Sequence, residues 1–156
     1  RWAKKYLSPS AKLLDLYAGM GFLSLPLAHL VNEVVAIEII EEAVNLGRNL
    51  VKEKGIKNYS FFLGDSGNIL TRLLDKKTSF EAVIIDPPRA GLSKKVLRSL
   101  LVMRPKTIFY ISCSPVTQAR DLVFLIKKGG YQLVELQPID MFPCTWHIET
   151  MVVLSR

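Results

Sequence analysis

Short apolar runs alternate with longer stretches whose apolar residues recur at helical spacing, and the two kinds of segment take turns along nearly the whole chain. Such alternation predicts a parallel sheet covered by helices on both faces. Lys12 to Tyr17 reads as the first strand, followed by the turn Ala18-Gly19-Met20-Gly21 and a short helix to about Leu30 with Pro26 in its first turn. Val34 to Glu38 is the second strand. Ile40 to Lys54 is a helix with Ala43, Val44, Leu46, Leu50 and Val51 on one side and Gly55 as its stop. Tyr59 to Leu63 is the third strand, and Gly64-Asp65-Ser66-Gly67 turns into a helix ending near Asp75.

The second half continues the rhythm. Phe80 to Ile85 is a continuous apolar strand that runs into Asp86-Pro87-Pro88-Arg89-Ala90-Gly91, where two prolines force a loop. Ser93 caps a helix to about Met103, Pro105 to Ser112 is the fifth strand, and Pro115 to Lys128 is a helix stopped by Gly129-Gly130. Tyr131 to Leu136 and about His147 to Leu154 remain. Residues 138–145 between them are too few for a crossover helix, so these two strands should pair antiparallel. The expectation is a seven-stranded, mostly parallel α/β sheet with a C-terminal antiparallel hairpin. No internal repeat or low-complexity segment interrupts it.

Composition narrows this picture. With 156 residues the chain fits one domain and can bury roughly two thirds of its unfolded surface in a single core. Two cysteines, Cys113 and Cys144, suggest reduced thiols in the cytoplasm and cannot alone hold an iron–sulfur cluster or a structural zinc, so no metal is expected. No apolar run approaches the about 20 residues of a membrane span, and the start Arg1-Trp2-Ala3-Lys4-Lys5 lacks the apolar core of a signal peptide. The first residue is not methionine, which suggests a fragment or a processed piece. A formal net charge of +7 favours a polyanionic partner. The cations read as dispersed, from Lys4 and Lys5 through Lys52, Lys54, Lys57, Lys76 and Lys77 to Lys94, Lys95, Arg98, Lys127 and Lys128, and most as solvated helix faces.

Candidate chemistry gathers where strands meet helices, which is where open α/β sheets place their ligand sites. Cys113 ends the fifth strand; Ser114 can cap and Pro115 can take the first helical position, so unpaired backbone N–H groups would favour a thiolate there. The segment alone allows a nucleophile or a small buried residue closing a strand. Gly19 and Gly21 let the backbone turn sharply and approach a ligand. Ser24 stands where a dinucleotide fingerprint has its third glycine, which argues against a dehydrogenase. Glu38 ends the next strand at about the 20-residue distance where an acid accepts hydrogen bonds from ribose hydroxyls. Asp65 reads equally as a turn residue and as a ligand near an adenine. Asp86 presents a rigidly held carboxylate for which a ligand role is favoured over capping, and Arg89 could contact phosphate or brace the loop. His147 and Glu149 alternate with Ile148 and would share one face of a strand, where a carboxylate beside an aromatic-rich loop could act as a base or simply open the strand. His29 reads as a structural or surface histidine.

Together, Leu13-Leu14-Asp15-Leu16-Tyr17-Ala18-Gly19-Met20-Gly21, Asp86-Pro87-Pro88-Arg89-Ala90-Gly91, Ser112-Cys113-Ser114-Pro115 with Thr117 and Arg120-Asp121, and Asp140-Met141-Phe142-Pro143 with Thr145, His147 and Glu149 resemble the RNA uracil-C5 methyltransferases that use S-adenosylmethionine. The resemblance spans nearly the whole chain in order. It implies a Rossmann-like class I methyltransferase fold, with residues 1–156 as the catalytic domain of a longer protein. It further implies Cys113 as nucleophile, Glu149 as base, and Tyr17, Gly19, Gly21, Glu38, Asp65 and Asp86 at the cofactor site, with S-adenosyl-L-methionine as cofactor. The implied partner is ribosomal or transfer RNA, met by a monomer. Two positions depart from the family: Ser114 stands where asparagine is usual, and Phe22 where a small polar residue is usual. Two other readings are carried: an amino-directed nucleic-acid methyltransferase, because Asp-Pro-Pro resembles the motif that holds an exocyclic amine, and a catalytically silent RNA-binding scaffold.

Overall fold

The computed structural model describes residues 2–140, 143–145 and 148–156. Its element order is α1 (Trp2–Tyr6), β1 (Lys12–Leu16), a 3-10 helix (Leu25–Leu30), β2 (Glu33–Glu38), α2 (Glu41–Glu53), β3 (Tyr59–Leu63), α3 (Ser66–Asp75), β4 (Ala82–Ile85), α4 (Lys94–Met103), β5 (Thr107–Ser112), α5 (Pro115–Gly129), β6 (Gln132–Ile139) and β7 (Glu149–Ser155). The seven strands lie in the order β3-β2-β1-β4-β5-β7-β6. The first five are parallel, and β7 pairs antiparallel with both β5 and β6. The expected sheet and its closing antiparallel pair are both present.

Burial explains why the inner strands are largely apolar, with Asp15 of β1 a buried exception. Successive side chains point to opposite faces of a strand, and both faces are covered here. Leu14, Leu16, Val83, Ile85 and Ile108 pack with Leu70 of α3, Leu100 of α4 and Leu125 of α5. Leu13, Val34, Ala36, Ile84 and Phe109 pack on the other face with Val44 of α2 and Ala28 of the 3-10 helix. Each such aliphatic side chain contributes about 1.5–3 kcal/mol on burial. Leu100, fully buried between α4 and the sheet, would cost about 2–5 kcal/mol if cut to alanine.

Three elements differ from the sequence reading. The segment after Gly21 forms a 3-10 helix from Leu25 rather than a full helix, because the Ser24 hydroxyl is drawn down to Asp15 and Pro26 follows immediately. β6 runs on through Pro138 to Ile139, which an edge strand permits because proline's missing N–H faces outward. α1, unexpected from the sequence, lies against that last strand: Lys5 and Tyr6 both donate to the Glu135 carboxylate, Tyr6 at 2.7 Å. No helix among the described residues is long and apolar enough to cross a membrane.

Candidate active site at the carboxyl edge of the sheet

Strand register brings the proposed residues to one edge. Leu16 lies opposite both Ile37 and Ile85, so Tyr17 leaves β1 between Glu38 of β2 and Asp86 of β4. Glu38 pairs with Leu63, whose strand turns into Gly64 and Asp65. On the other side Ile85 pairs with Tyr110 and Ser112 with Thr150. Cys113 and Glu149 are therefore the next residues outward on two adjoining antiparallel strands. Six of the eight sequence-predicted positions follow or close a strand along this edge and Glu149 opens β7 there; Gly21 sits in the turn behind Gly19.

The β1–β2 side is organised by backbone. Glu38, 7% exposed, accepts the Gly19 N–H at 2.8 Å through Oε2 and the Ile39 and Ile40 N–H groups at 2.8 and 2.9 Å through Oε1. A buried carboxylate thus locks the glycine turn to the end of β2. Gly21 has φ +87, and a Cβ there would lie 2.6 Å from the Tyr59 hydroxyl, so glycine is required on both counts. A Cβ at Gly19 would meet nothing within 4 Å, which leaves that backbone open to an incoming group. Tyr17 sits at φ +63, a left-handed conformation that costs a non-glycine residue energy and is often kept at functional sites. Burial, with Asp65 and Asp121 nearby, pushes its phenol up to about 12.

Beneath the turn lies a network that sequence reasoning did not assign. Asp15 is fully buried and accepts from the Ser24 hydroxyl, which also bonds the Tyr59 hydroxyl at 2.6 Å. Burial pushes the Asp15 carboxyl up to about 7 despite Ser24, with Asp86 and Glu38 adding to the rise. Asp15 Oδ1 has no hydrogen-bond partner among the described residues. Ser24, read from the sequence as a departure from a glycine fingerprint, is the anchor of this network.

The β4–β5–β7 side is braced from behind. Cys113, half-buried, follows β5, and α5 begins two residues later with Pro115 at its start. Ser114 holds the cap position, but its side chain makes no capping bond; instead its N–H donates to the Ser112 hydroxyl at 3.0 Å. The expected Ser114 cap is therefore replaced by a Ser112 bracket. Gln118, buried one turn into α5, donates to the Tyr110 carbonyl at 2.9 Å and accepts the Thr150 hydroxyl at 2.7 Å. One amide thus ties the helix after Cys113 to the residue beside Glu149.

Asp121 performs the matching task for the Asp86 loop. Fully buried, it accepts from the Leu92 N–H at 2.7 Å, the Tyr110 hydroxyl at 2.8 Å and Arg120 Nε at 2.9 Å. Arg120 in turn donates to the Ala90 carbonyl at 3.0 Å, and Thr117 to the Arg89 carbonyl at 2.9 Å. Gly91 fits only as glycine, since a Cβ would lie 2.6 Å from Asp121 Oδ2. Gln118, Asp121 and Leu125 are all buried on α5, and their i, i+3, i+7 spacing places two polar residues at core positions. That pattern was the available signal, since a buried polar side chain must have partners.

Asp86 itself forms no side-chain hydrogen bond within the described residues; partial desolvation and then the Glu149 charge raise its pKa from its ordinary value. Asp65 caps α3, accepting the Asn68 N–H at 2.9 Å through Oδ1, so its turn role is realised. His29 is exposed on the 3-10 helix, and Cys113 and Cys144 are both free thiols. Met141, Phe142, Trp146 and His147 lie outside the described residues, so the sequence expectations for that loop are not addressed there. No group of three or more metal-ligating side chains occurs among the described residues.

A doubly covered, mostly parallel sheet with an antiparallel seventh strand, a glycine turn after β1 and an acid ending β2 defines the Rossmann-like methyltransferase class. Comparison with known proteins carries this further. The model of the tRNA (uracil-5-)-methyltransferase family matches residues 1–156, and the chain belongs to that family. It is 41% identical over 156 residues to an uncharacterized RNA methyltransferase of Clostridium acetobutylicum, covering 99% of this chain and 34% of that protein. Its structure superposes on the Pyrococcus abyssi tRNA (uracil-54, C5)-methyltransferase in complex with S-adenosyl-L-homocysteine with a TM-score of 0.80 and 30% identity, covering 99% of this chain and 36% of that one. An rRNA methylase from Streptococcus thermophilus shares the fold at a TM-score of 0.77 and 16% identity, over 98% of this chain and 90% of that one. The chain spans about a third of the length of the curated relatives it matches.

Proposed function

We propose that this chain is the catalytic domain of an enzyme that methylates carbon 5 of a uridine in ribosomal or transfer RNA through a covalent adduct between Cys113 and carbon 6. The observation that carries the reading is the β5–β7 register, which makes Cys113 and Glu149 neighbours at the edge that also holds Gly19, Glu38 and Asp86. Carbon 5 of uracil is a poor nucleophile. Addition of the Cys113 thiolate to carbon 6 forms a sulfur–carbon bond and moves the electron pair of the double bond toward carbon 5 and oxygen 4, giving an enolate. Glu149 removes the carbon-5 proton after methylation; the freed electron pair restores the double bond and expels the thiolate.

S-adenosyl-L-methionine, when bound, supplies a methyl group on a sulfonium that carbon 5 can take. The residues present fit it: Gly19 leaves open space beside its backbone, and Glu38 Oε2, which takes only the Gly19 N–H among the described residues, keeps acceptor capacity that a ribose hydroxyl could use. Tyr17, Gly21, Asp65 and Asp86 complete the cofactor edge, Asp86 with no side-chain hydrogen bond among the described residues. Asp65 retains one carboxylate oxygen after capping α3.

The target base must leave its stack to reach Cys113, so the substrate is a loop or flipped uridine. RNA containing 5-fluorouridine tests the mechanism in the full-length protein, because the carbon-5 fluorine cannot leave as a proton. A stable species with the mass of protein plus methylated RNA should accumulate and map to Cys113, and Cys113→Ala should form none. Full activity in Cys113→Ala would instead favour an amino-directed methyltransferase acting through the Asp86-Pro87-Pro88 loop. Absence of S-adenosyl-L-methionine binding to the full-length protein by calorimetry would favour a silent scaffold.

A further inference from the structure

The net charge of the chain is not dispersed, contrary to the sequence expectation. Residues 92–130 contain eight lysines and arginines and a single acid, Asp121, so they carry 8 − 1 = +7; the remaining residues contain thirteen cations and thirteen acids and sum to zero. Elsewhere cations and acids are interleaved, as on α2, where Glu41, Glu42 and Glu53 accompany Arg48 and Lys52. The sole acid of the basic segment is buried and already bonded to Arg120, Tyr110 and Leu92.

The same segment encloses a groove of about 570 Å³ between α4 and α5. Leu97, Val123 and Phe124 form its floor, and Lys94, Arg98, Lys127 and Lys128 its rim. Val123 is 51% exposed although it lies in a helix packed on the sheet. Among the described residues none of the four rim cations forms an ion pair. Both helices start at the carboxyl edge, and the groove begins at Leu92 and Arg120, against the loop that carries Asp86. α5, at 15 residues, is about 22 Å long, enough to follow several nucleotides.

We propose that the α4–α5 groove is a second RNA-binding surface, on which the strand flanking the target uridine lays its phosphates along Lys94, Arg98, Lys127 and Lys128 and stacks a base on Phe124. The inference rests on the RNA-methylation reading. An apolar floor between cations suits single-stranded RNA, whose bases offer π-faces and whose phosphates release counterions to lysine and arginine. The groove would add affinity and direction to a strand whose target base is several nucleotides away at Cys113.

The test measures binding of a fluorescein-labelled, uridine-containing RNA hairpin with a single-stranded tail to the full-length protein as salt is varied. Replacing the four rim cations together by glutamine should lower the slope of log affinity against log salt by about 3, at ~0.7 per lost contact, and weaken binding at ~0.1 M salt by about tenfold or more. Phe124→Ala should weaken binding without changing the slope. A charge-matched variant with Lys52, Lys54, Lys57 and Lys76 changed to glutamine should leave the slope near wild type. Calorimetry with S-adenosyl-L-homocysteine checks that each variant is folded.

An unchanged slope in the rim variant, or an equal fall in the charge-matched one, overturns the proposal. So does a rim variant that keeps its RNA affinity while the catalytic part comes loose from the rest of the chain under limited proteolysis, since the groove would then be a docking site for that remainder. Binding is read apart from methyl transfer. A wild-type protein that binds this RNA with the expected slope yet never methylates uridine would break the proposed function and leave the surface standing.

Discussion

On the β2 side of the carboxyl edge Glu38 engages both oxygens with three backbone N–H groups, whereas on the β5 side Cys113, Asp86 and Glu149 form no side-chain hydrogen bonds within the described residues. The contrast follows from what each side has to do. A binding edge gains from groups fixed in advance, because ordering them on binding would cost affinity. In the proposed reaction the thiol bonds to carbon and the carboxylate takes a proton, and both tasks need free valence and lone pairs. Their positions are held one residue away, by Gln118 against Thr150 and by Asp121 and Thr117 against the Asp86 loop. Perturbing the first side should change cofactor affinity; perturbing the second should change turnover.

The largest separation is expected from Glu149→Gln. Loss of a positioned base typically costs about 10²–10⁴ in rate. Turnover should fall by that amount while S-adenosyl-L-homocysteine affinity in calorimetry stays within about twofold, a difference of less than ~0.5 kcal/mol. Ordinary RNA should then give a methylated covalent adduct, visible by intact mass, that the wild type does not accumulate. If affinity falls in step with turnover, the two sides are one mechanical unit.

Asp15 gives the next largest effect, on stability. Burial pushes its carboxyl from the ordinary 3.8 up to about 7 in the folded chain. A raised acid pKa means that the native state holds a proton the unfolded state has lost between about pH 4 and 7, so stability falls as pH rises through that window and levels off above it. The loss amounts to ~4 kcal/mol from Asp15 alone. Urea titrations of the protein without cofactor at pH 4.5 and 7.5 should show it, and Asp15→Asn should remove most of the difference. A wild-type stability that rises across the window would contradict this assignment.

How much of this was visible in the chain depends on whether a role is local. Gly19 and Glu38 were legible because a strand, a glycine turn and a following acid form one continuous unit of about 20 residues. Cys113 and Glu149 were legible only through the resemblance of their motifs, because the short 138–145 segment pairs β6 with β7 and says nothing of the β5–β7 pairing that makes the two neighbours. Asp121 was quoted within a motif but given no task, because its partners Leu92 and Tyr110 are 29 and 11 residues away and meet it only after α4 and β5 have packed. Ser24 rightly argued against a dehydrogenase, but its structural role was missed for a similar reason: its partners Asp15 and Tyr59 are 9 and 35 residues distant. The Ser114 side chain makes no capping bond, and the local hydrogen bond there is from its N–H to the Ser112 hydroxyl. The charge segregation was countable from the start, but it acquires meaning only when α4 and α5 lie side by side.

On the binding side, Glu38→Gln should weaken S-adenosyl-L-homocysteine by about 10- to 100-fold, since hydrogen bonds to a charged group contribute ~1.5–3 kcal/mol and the amide cannot accept all three N–H groups. Turnover at saturating cofactor should change far less than affinity. A turnover loss as large as the affinity loss would mean that the glycine turn also positions the reacting atoms.

The smallest expected effect discriminates most finely between the two sides. Thr117 Oγ1 donates its one proton to the Arg89 carbonyl at 2.9 Å, shared with the Ser114 carbonyl at 3.2 Å, so one hydroxyl joins the Asp86 loop to the first turn after Cys113. Thr117→Val keeps the shape and removes the bond to Arg89, a change of about 1 kcal/mol for a neutral hydrogen bond. If that contact only stabilised the fold, the cost would appear in the unfolding midpoint and nowhere else. If it sets the distance between Asp86 and Cys113, turnover should fall about fivefold, with cofactor affinity and KM for RNA unchanged, and Thr117→Ser should restore the rate. Failure of the serine variant to rescue turnover would assign the effect to packing of the threonine methyl rather than to the hydroxyl bridge.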